Sequence, residues 1–336
     1  MVKRYDVITV GGATEDITFY VDGYYLLDNN QNASGNKLLA FDYGTKVNVT
    51  KTYMTFGGGA ANAAVCLASL GLKTAGLITY GSDERGTRIL ANIKKRGVAP
   101  DLLKKIRGEM SGFSFIVIGS KNEHVAFSHR AANARLNITE TDLANLKKTD
   151  WIFLTSMAGA WKSDLNKIFS LPKEIKIAWN PGELQLKAGY QELSKYLQRV
   201  NVLTFNKDEA IDLILTHPDH NNKPYEFLAD VKNLLQTIKS WGPAIVVITN
   251  NEKGADAYDG INYYHQPVVS AKVKADTTGL GDAFGASFIA GLHLYGNDIK
   301  KSLHLAAANA ASVLGQQGAQ NGLLTAKDLP TVGSRK

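Results

Sequence analysis

The chain has 336 residues, 44% of them hydrophobic, enough to bury one large core with an excursion from it. Its one cysteine, Cys66, excludes an internal disulfide framework and a cysteine metal cluster and points to a reducing compartment, with the cytoplasm as the expected location. A formal charge of +7 would suit a polyanion, yet the basic residues stand in dispersed pairs such as Lys94-Lys95, Lys147-Lys148 and Lys300-Lys301 beside acids, so no nucleic-acid partner is expected.

The opening MVKRYDVITVGG has an apolar run too short for a secretory signal, and no later run is long enough to cross a membrane. Tyr5 to Val10 has the length and β-branched content of a buried strand. Similar runs follow at Ala75 to Thr79, Trp151 to Thr155, Ile175 to Trp179, Val200 to Phe205 and Ala244 to Thr249. Helical spacing of apolar residues marks Ala60 to Leu70, Gly86 to Lys95, Ala188 to Leu197, Tyr225 to Trp241 and Gly281 to Leu294. This alternation predicts an α/β fold with a mostly parallel sheet and helices on both faces. Small or polar residues follow the strands: Gly11-Gly12, Gly81, Ser156, Asn180, Asn206 and Asn250. In open α/β sheets ligands bind there, so the row sketches the floor of a site, although each member alone is also ordinary turn chemistry.

Residues 16–50 and 110–130 break the alternation. The first reads as extended segments, and the second as a hairpin around Lys121-Asn122. Together they predict a small separate sheet placed as a lid. Residues 28–37 and 216–224 are polar loops.

Near the end, VKADTTGLGDAFGASFIAGLHL brings a glycine-containing turn to the start of an apolar-faced helix. Free N–H groups from about Gly279 to Asp282 and the helix dipole make that turn a site for an anion. A carboxylate, Asp282, stands in it, either as a helix cap or as a general base. DTTGLGD with the following AFGASFIAGL resembles the carboxyl-terminal signature of the ribokinase-like (PfkB) carbohydrate kinases, and GGGAANAAVCLASLG at 57–71 resembles their amino-terminal signature. The two stand in the family order.

The resemblance implies a three-layer ribokinase-like sandwich with a β-sheet lid, and an ATP- and Mg2+-dependent kinase of a small sugar or sugar acid. It implies Asp282 as the base and Gly279, Leu280 and Gly281 as an anion hole. Leu280 stands where the family usually carries a small residue, so its side chain must find room beside the phosphate channel. Asn206 and Glu209 in NKDE resemble a motif that arranges magnesium, water and phosphate, with Glu209 acting through water. Thr249, Asn251 and Gly254 resemble a nucleotide-contacting TxGxxG stretch, with Asn251 replacing a glycine; asparagine tolerates positive φ better than other such substitutes. Asn309 is a weaker candidate for the adenine. For the acceptor the resemblance implies Asp16, Gly58, Gly59 and Asn62, joined after the lid hairpin by Arg130 and Asn133. Asp276 and the loop at Gly318 resemble a monovalent-cation site of some members, compatible with K+.

A nucleoside kinase is the alternative the same fold allows, and a non-catalytic sugar- or nucleotide-binding homologue is a third reading. A dinucleotide oxidoreductase is not expected, since no GxGxxG follows the first strand. The aromatic group Phe19, Tyr20, Tyr24 and Tyr25 suits a homodimer contact through the lid and suits lid packing equally.

Overall fold

The computed structural model describes residues 4–28, 37–119, 124–271 and 273–329. Its strands are β1 (Tyr5–Gly11), β2 (Thr14–Val21), β3 (Tyr25–Asp28), β4 (Lys37–Ala40), β5 (Val49–Gly57), β6 (Thr74–Gly81), β7 (Leu103–Ile106), β8 (Phe113–Ile118), β9 (His124–His129), β10 (Thr149–Leu154), β11 (Lys176–Trp179), β12 (Val202–Asn206), β13 (Ile245–Thr249), β14 (Ala255–Tyr258) and β15 (Tyr263–Gln266). Nine of them make one sheet in the order β15-β14-β13-β12-β11-β10-β1-β6-β7. From β13 to β7 the pairing is parallel, and β14 and β15 close one edge as an antiparallel hairpin.

Strand periodicity sorts the core into two layers. Ile8, Val10, Ile152, Leu154, Ile177 and Trp179 face one way, against the helices Trp161–Phe169, Glu183–Leu197, Lys207–Leu215 and Val231–Ser240. Val7, Trp151, Phe153, Ala178 and Val202 face the other, against Gly59–Ser69, Leu280–Leu294 and Ile299–Leu314. Both faces are buried, which is why these strands read as continuous apolar runs.

Several helices depart from their periodicity. The Tyr225–Trp241 pattern is two helices, Tyr225–Ala229 and Val231–Ser240, divided where the Asp230 side chain accepts from the Lys232 amide and caps the second. The one expected from Ala188 begins at Glu183 and is broken by Gly189 at φ 77°. Helices Glu140–Leu146, Trp161–Phe169, Lys207–Leu215 and Ile299–Leu314 had no counterpart among the expected elements.

The extended segments form two small sheets rather than one. β5-β2-β8-β9 is four-stranded, and β3-β4 is a separate pair. β8 and β9 pair antiparallel as a hairpin should; its expected tip at Lys121-Asn122 and most of the polar stretch 28–37 lie outside the described residues. A buried carboxylate with two partly exposed guanidinium partners ties the four-stranded sheet to the main body: Glu15 on β2 accepts from Arg85 at 3.0 Å and from Arg88 at 2.7 Å. No helix among the described residues is long and apolar enough to cross a membrane.

Candidate active site

β1 is the strand at which chain order reverses, with β6 and β7 on one side and β10 to β13 on the other. Loops diverge at such a point and leave a crevice beyond the carboxyl ends. A cavity of about 460 Å³ lies there, lined by Gly11, Gly12 and Ser156 from the strand ends, and by Thr14, Asp16, Ser114 and Ser128 from the small sheet. Gly58, Gly59, Asn62, Arg130, Asn133, Gly279 and Asp282 also line it. A second cleft, of about 190 Å³, is lined by Thr249, Asn251, Gly254, Leu280, Gly281, Phe284 and the alanines of Ile299–Leu314. The third, of about 210 Å³, shares Gly279 and Asp282 with the first and Thr249, Gly281 and Phe284 with the second; it adds Asn180, Asn206 and Glu209. The turn from Gly279 to Asp282 is therefore where the three spaces meet.

Gly279 is the N-cap of helix Leu280–Leu294, at φ 74° and ψ 8°. A Cβ there would stand 2.2 Å from the Ala319 Cβ. Asp282 is in the first turn, no side chain caps the helix, and the Ala283 amide bonds back to the Gly279 carbonyl at 2.9 Å. The amides of Gly281 and Asp282 thus precede the first intrahelical donor and are available to a ligand. The cap alternative for Asp282 is removed, because its carboxylate instead accepts from Asn62 Nδ2 at 2.8 Å.

Three carboxylates converge on the clefts, and burial is the largest cause holding each above the ordinary range. For Asp282 the Asn62 bond opposes burial while the Asp16 charge adds to it. For Asp16 bonds from Ser114 and Thr14 oppose it. Glu209 is lowered by the Asn206 amide and raised by the Asp282 charge. Asp16 is 5% exposed and its Oδ1 has no hydrogen-bond partner, an orphaned acceptor on the cavity wall. Raised carboxylates and an orphaned acceptor cost stability, and their concentration in a cleft marks a functional site. Arg130 lines the same cavity and forms no ion pair among the described residues.

Asn206 and Glu209 form a capping box at the start of Lys207–Leu215: the Glu209 amide donates to Asn206 Oδ1 at 2.8 Å and the Asn206 amide to Glu209 Oε2 at 2.9 Å. Asn251 has φ 45°, the conformation expected of a glycine substitute. Leu280 turns into the second cleft beside Phe284, Ala307, Ala310 and Leu314, which is the room its side chain needed.

One expected residue, Asn309, lies off the clefts, and two others, Asn133 and Asp276, stand where expected with their polar groups bonded to the protein itself. Asn309 is fully buried away from the clefts, donating to Ser287 Oγ at 2.7 Å and to Cys66 Sγ and accepting from the Leu324 amide. The cleft face of its helix is Ala307, Ala310, Ala311 and Leu314, and Asn309 is about 200° round from Ala307. Asn133 reaches the cavity wall, but its amide is taken up by the Ala13 backbone, accepting at 3.1 Å and donating at 2.8 Å. Asp276 accepts three N–H groups, from Thr278, Gln317 and Gly318, and so ties the turn to the late loop. Sequence reasoning passed over Thr14, Ser114 and Ser128; for Ser114 the signal was a lone hydroxyl in the otherwise apolar strand FSFIVI.

A mostly parallel sheet lies between helix layers, with a small sheet over its switch point and a first-turn carboxylate where the three clefts meet, the setting of an α/β enzyme site. The family model for pfkB family carbohydrate kinases matches residues 29–326, and the chain belongs to that family. It is 28% identical over 261 residues to an uncharacterized sugar kinase of Archaeoglobus fulgidus, covering 76% of this chain and 97% of that one. Among solved structures, Arabidopsis thaliana ribokinase complexed with ribose and ATP superposes with a TM-score of 0.78 at 20% identity, over 97% of each chain. The Methanocaldococcus jannaschii nucleoside kinase gives 0.75 at 21% identity, again over 97% of each. Both likenesses establish the ribokinase fold.

Proposed function

We propose that this kinase transfers the γ-phosphoryl group of ATP to a hydroxyl of a small sugar or sugar acid at the turn Gly279 to Asp282. The observation that carries this is the position of the turn: it holds a non-capping carboxylate and partnerless first-turn amides at the junction of the three clefts. The acceptor occupies the 460 Å³ cavity under the small sheet, which serves as its lid. The nucleotide lies in the second cleft, against Thr249, Asn251, Gly254 and Leu280, and its phosphates run along the third past Asn206. Asp282 takes the proton of the acceptor hydroxyl, whose oxygen attacks the γ-phosphorus as ADP leaves. The free amides of Gly281 and Asp282, with that of Gly279 beside them, hold the charge on the transferred group, while the Leu280 amide is taken by the Thr277 carbonyl at 3.4 Å; this is the main contribution in a reaction governed by positioning and electrostatics.

Glu209 suits a magnesium ion that arrives with ATP. Its Oε2 is held by the Asn206 amide, and no group of three ligating carboxylates, histidines or cysteines occurs among the described residues, so Glu209 would hold a hydrated ion through water. Bound magnesium neutralises charge on the phosphates. For potassium, the Asp276 carboxylate already takes three N–H donors, from Thr278, Gln317 and Gly318, which leaves its two oxygens little capacity for a cation.

The cavity lining supports this acceptor class. Asp16 with its orphaned oxygen, Gly58, Gly59 and the hydroxyls of Thr14, Ser114 and Ser128 suit a polyol. No aromatic ring lines the cavity among the described residues, so a nucleobase has no stacking surface there. Arg130 suits a carboxylate or phosphate on the acceptor. Turnover is expected with ATP and one or more of ribose, fructose and 2-keto-3-deoxygluconate; turnover with adenosine and other nucleosides alone sinks the sugar reading. If the acceptor is anionic, Arg130→Gln lowers kcat/KM for it by about 10- to 100-fold and leaves neutral sugars unchanged, the size of one charged hydrogen bond. Leu280→Ala keeps kcat and raises the KM for ATP roughly five-fold, through loss of about 1 kcal/mol of apolar contact; steady-state kinetics separates the two.

A further inference from the structure

Asp282 is gripped through a chain of three side-chain amides. Asn62 Nδ2 donates to Asp282 Oδ2 at 2.8 Å, and Asn62 Oδ1 accepts from Gln320 Nε2 at 3.0 Å. Gln320 Oε1 accepts in turn from Asn92 Nδ2 at 2.7 Å. The amides run head to tail from helix Glu84–Lys95, through the loop after the last helix, to the carboxylate. Asn62 is 5% exposed and Gln320 is 3% exposed, so water does not compete for the middle of the chain.

A primary amide that turns over exchanges its acceptor for its donors. With the Gln320 nitrogen facing Asn62, a flipped Asn62 would set nitrogen against nitrogen, and its carbonyl oxygen against the Asp282 carboxylate. The Asn92 Nδ2 that donates to Gln320 Oε1 disfavours the same flip in Gln320. Gln320 lines none of the three clefts, so it acts only through Asn62. We infer that Gln320 is a positioning residue for phosphoryl transfer: it keeps the donor end of Asn62 on the Asp282 carboxylate. The inference rests on Asp282 being the base, as proposed above.

The charged groups around Asp282 make the donor matter. Asp16 on β2 and Glu209 in the first turn of Lys207–Leu215 both raise or share its negative field, Arg130 lines the same cavity, and helix Gly59–Ser69 brings no charged side chain. Burial and Asp16 push the Asp282 carboxyl up, and the Asn62 bond is what opposes them.

The test is a carboxyl 13C NMR titration of the full chain labelled at the aspartate side-chain carbon, with the Asp282 resonance assigned by its loss in Asp282→Asn. Gln320→Met keeps bulk and removes both amide groups; its Asp282 midpoint is expected to rise by about one pH unit. Gln320→Glu, which accepts but cannot donate to Asn62, should raise it at least as far. In both, the acid limb of kcat/KM with the fastest acceptor of the panel moves by the same interval, while kcat on the alkaline plateau recovers to near wild type. Loss of kcat at every pH with an unmoved midpoint overturns the inference and leaves Gln320 as packing. Should Gln320→Met not fold, Asn92→Ala carries the test, with a smaller rise in the same direction expected and none overturning it. Turnover retained by Asp282→Asn defeats the base reading, and with it the positioning role; a dead Asp282→Asn beside an unmoved Gln320→Met midpoint defeats the positioning role alone.

Discussion

Asp282→Asn is expected to cut kcat by about 10²- to 10⁴-fold while the KM for ATP stays within about three-fold of wild type, since the change removes a proton acceptor and leaves the shape of the cleft. The Asn62 amide that donates to Asp282 Oδ2 can donate equally to an amide oxygen. In the wild type the base must be ionised, and burial holds its pKa above the ordinary aspartate range, so turnover falls as pH drops through that raised value, earlier than a solvated aspartate would require. Stability carries the opposite sign. Because ionisation is harder in the folded chain than in the unfolded one, the carboxylate imposes no cost below the unfolded pKa. The cost grows as pH rises from there through the folded value. A neutral amide lacks that cost, so the variant should melt at or above the wild-type temperature at pH 7, the usual exchange between stability and activity at a working site. A large fall in both kcat and Tm would instead make Asp282 a structural residue.

The two glycines of the turn should separate backbone strain from steric access to the phosphoryl group. Gly279 holds φ 74° with no space for a Cβ, which would lie 2.2 Å from the Ala319 Cβ. Gly279→Ala therefore combines left-handed strain with a collision, and a loss of about 1–3 kcal/mol of stability is expected together with loss of activity. At Gly281 a Cβ meets nothing within 4 Å and no positive φ is required. Gly281→Ala is expected to fold with an unchanged Tm and still lose most turnover, because its methyl group projects into the space where the clefts meet. Thermal melts and kinetics on the pair check this; full activity in Gly281→Ala would move phosphoryl transfer away from these amides.

The central strands were legible because burial on both faces leaves one signature, an uninterrupted β-branched run such as Ile8 to Val10 or Val246 to Ile248. The helix Ile299–Leu314 was not, because AAANAAS offers no contrast between its faces. That same lack of contrast misplaced Asn309, whose polarity suggested a ligand when the cleft-facing residues were the alanines. Asn62 shows a different limit. Its residue type suits a polyol, yet the partner that takes its amide, Asp282, lies 220 positions later. Gln320 is further out of reach of sequence reasoning, since its importance depends on touching Asn62 across 258 positions. The turn around Asp282 was legible because its chemistry is local: glycine, a helix start and a carboxylate within one segment.

The most direct test of where transfer occurs is a crystal structure with a non-hydrolysable ATP analogue and the acceptor that the panel identifies. The acceptor hydroxyl is expected about 2.6–3.2 Å from an Asp282 oxygen, with the γ-phosphate over the amides of Gly279 to Asp282. An acceptor bound outside the cavity of Asp16 and Arg130, or a γ-phosphate remote from that turn, would contradict the account.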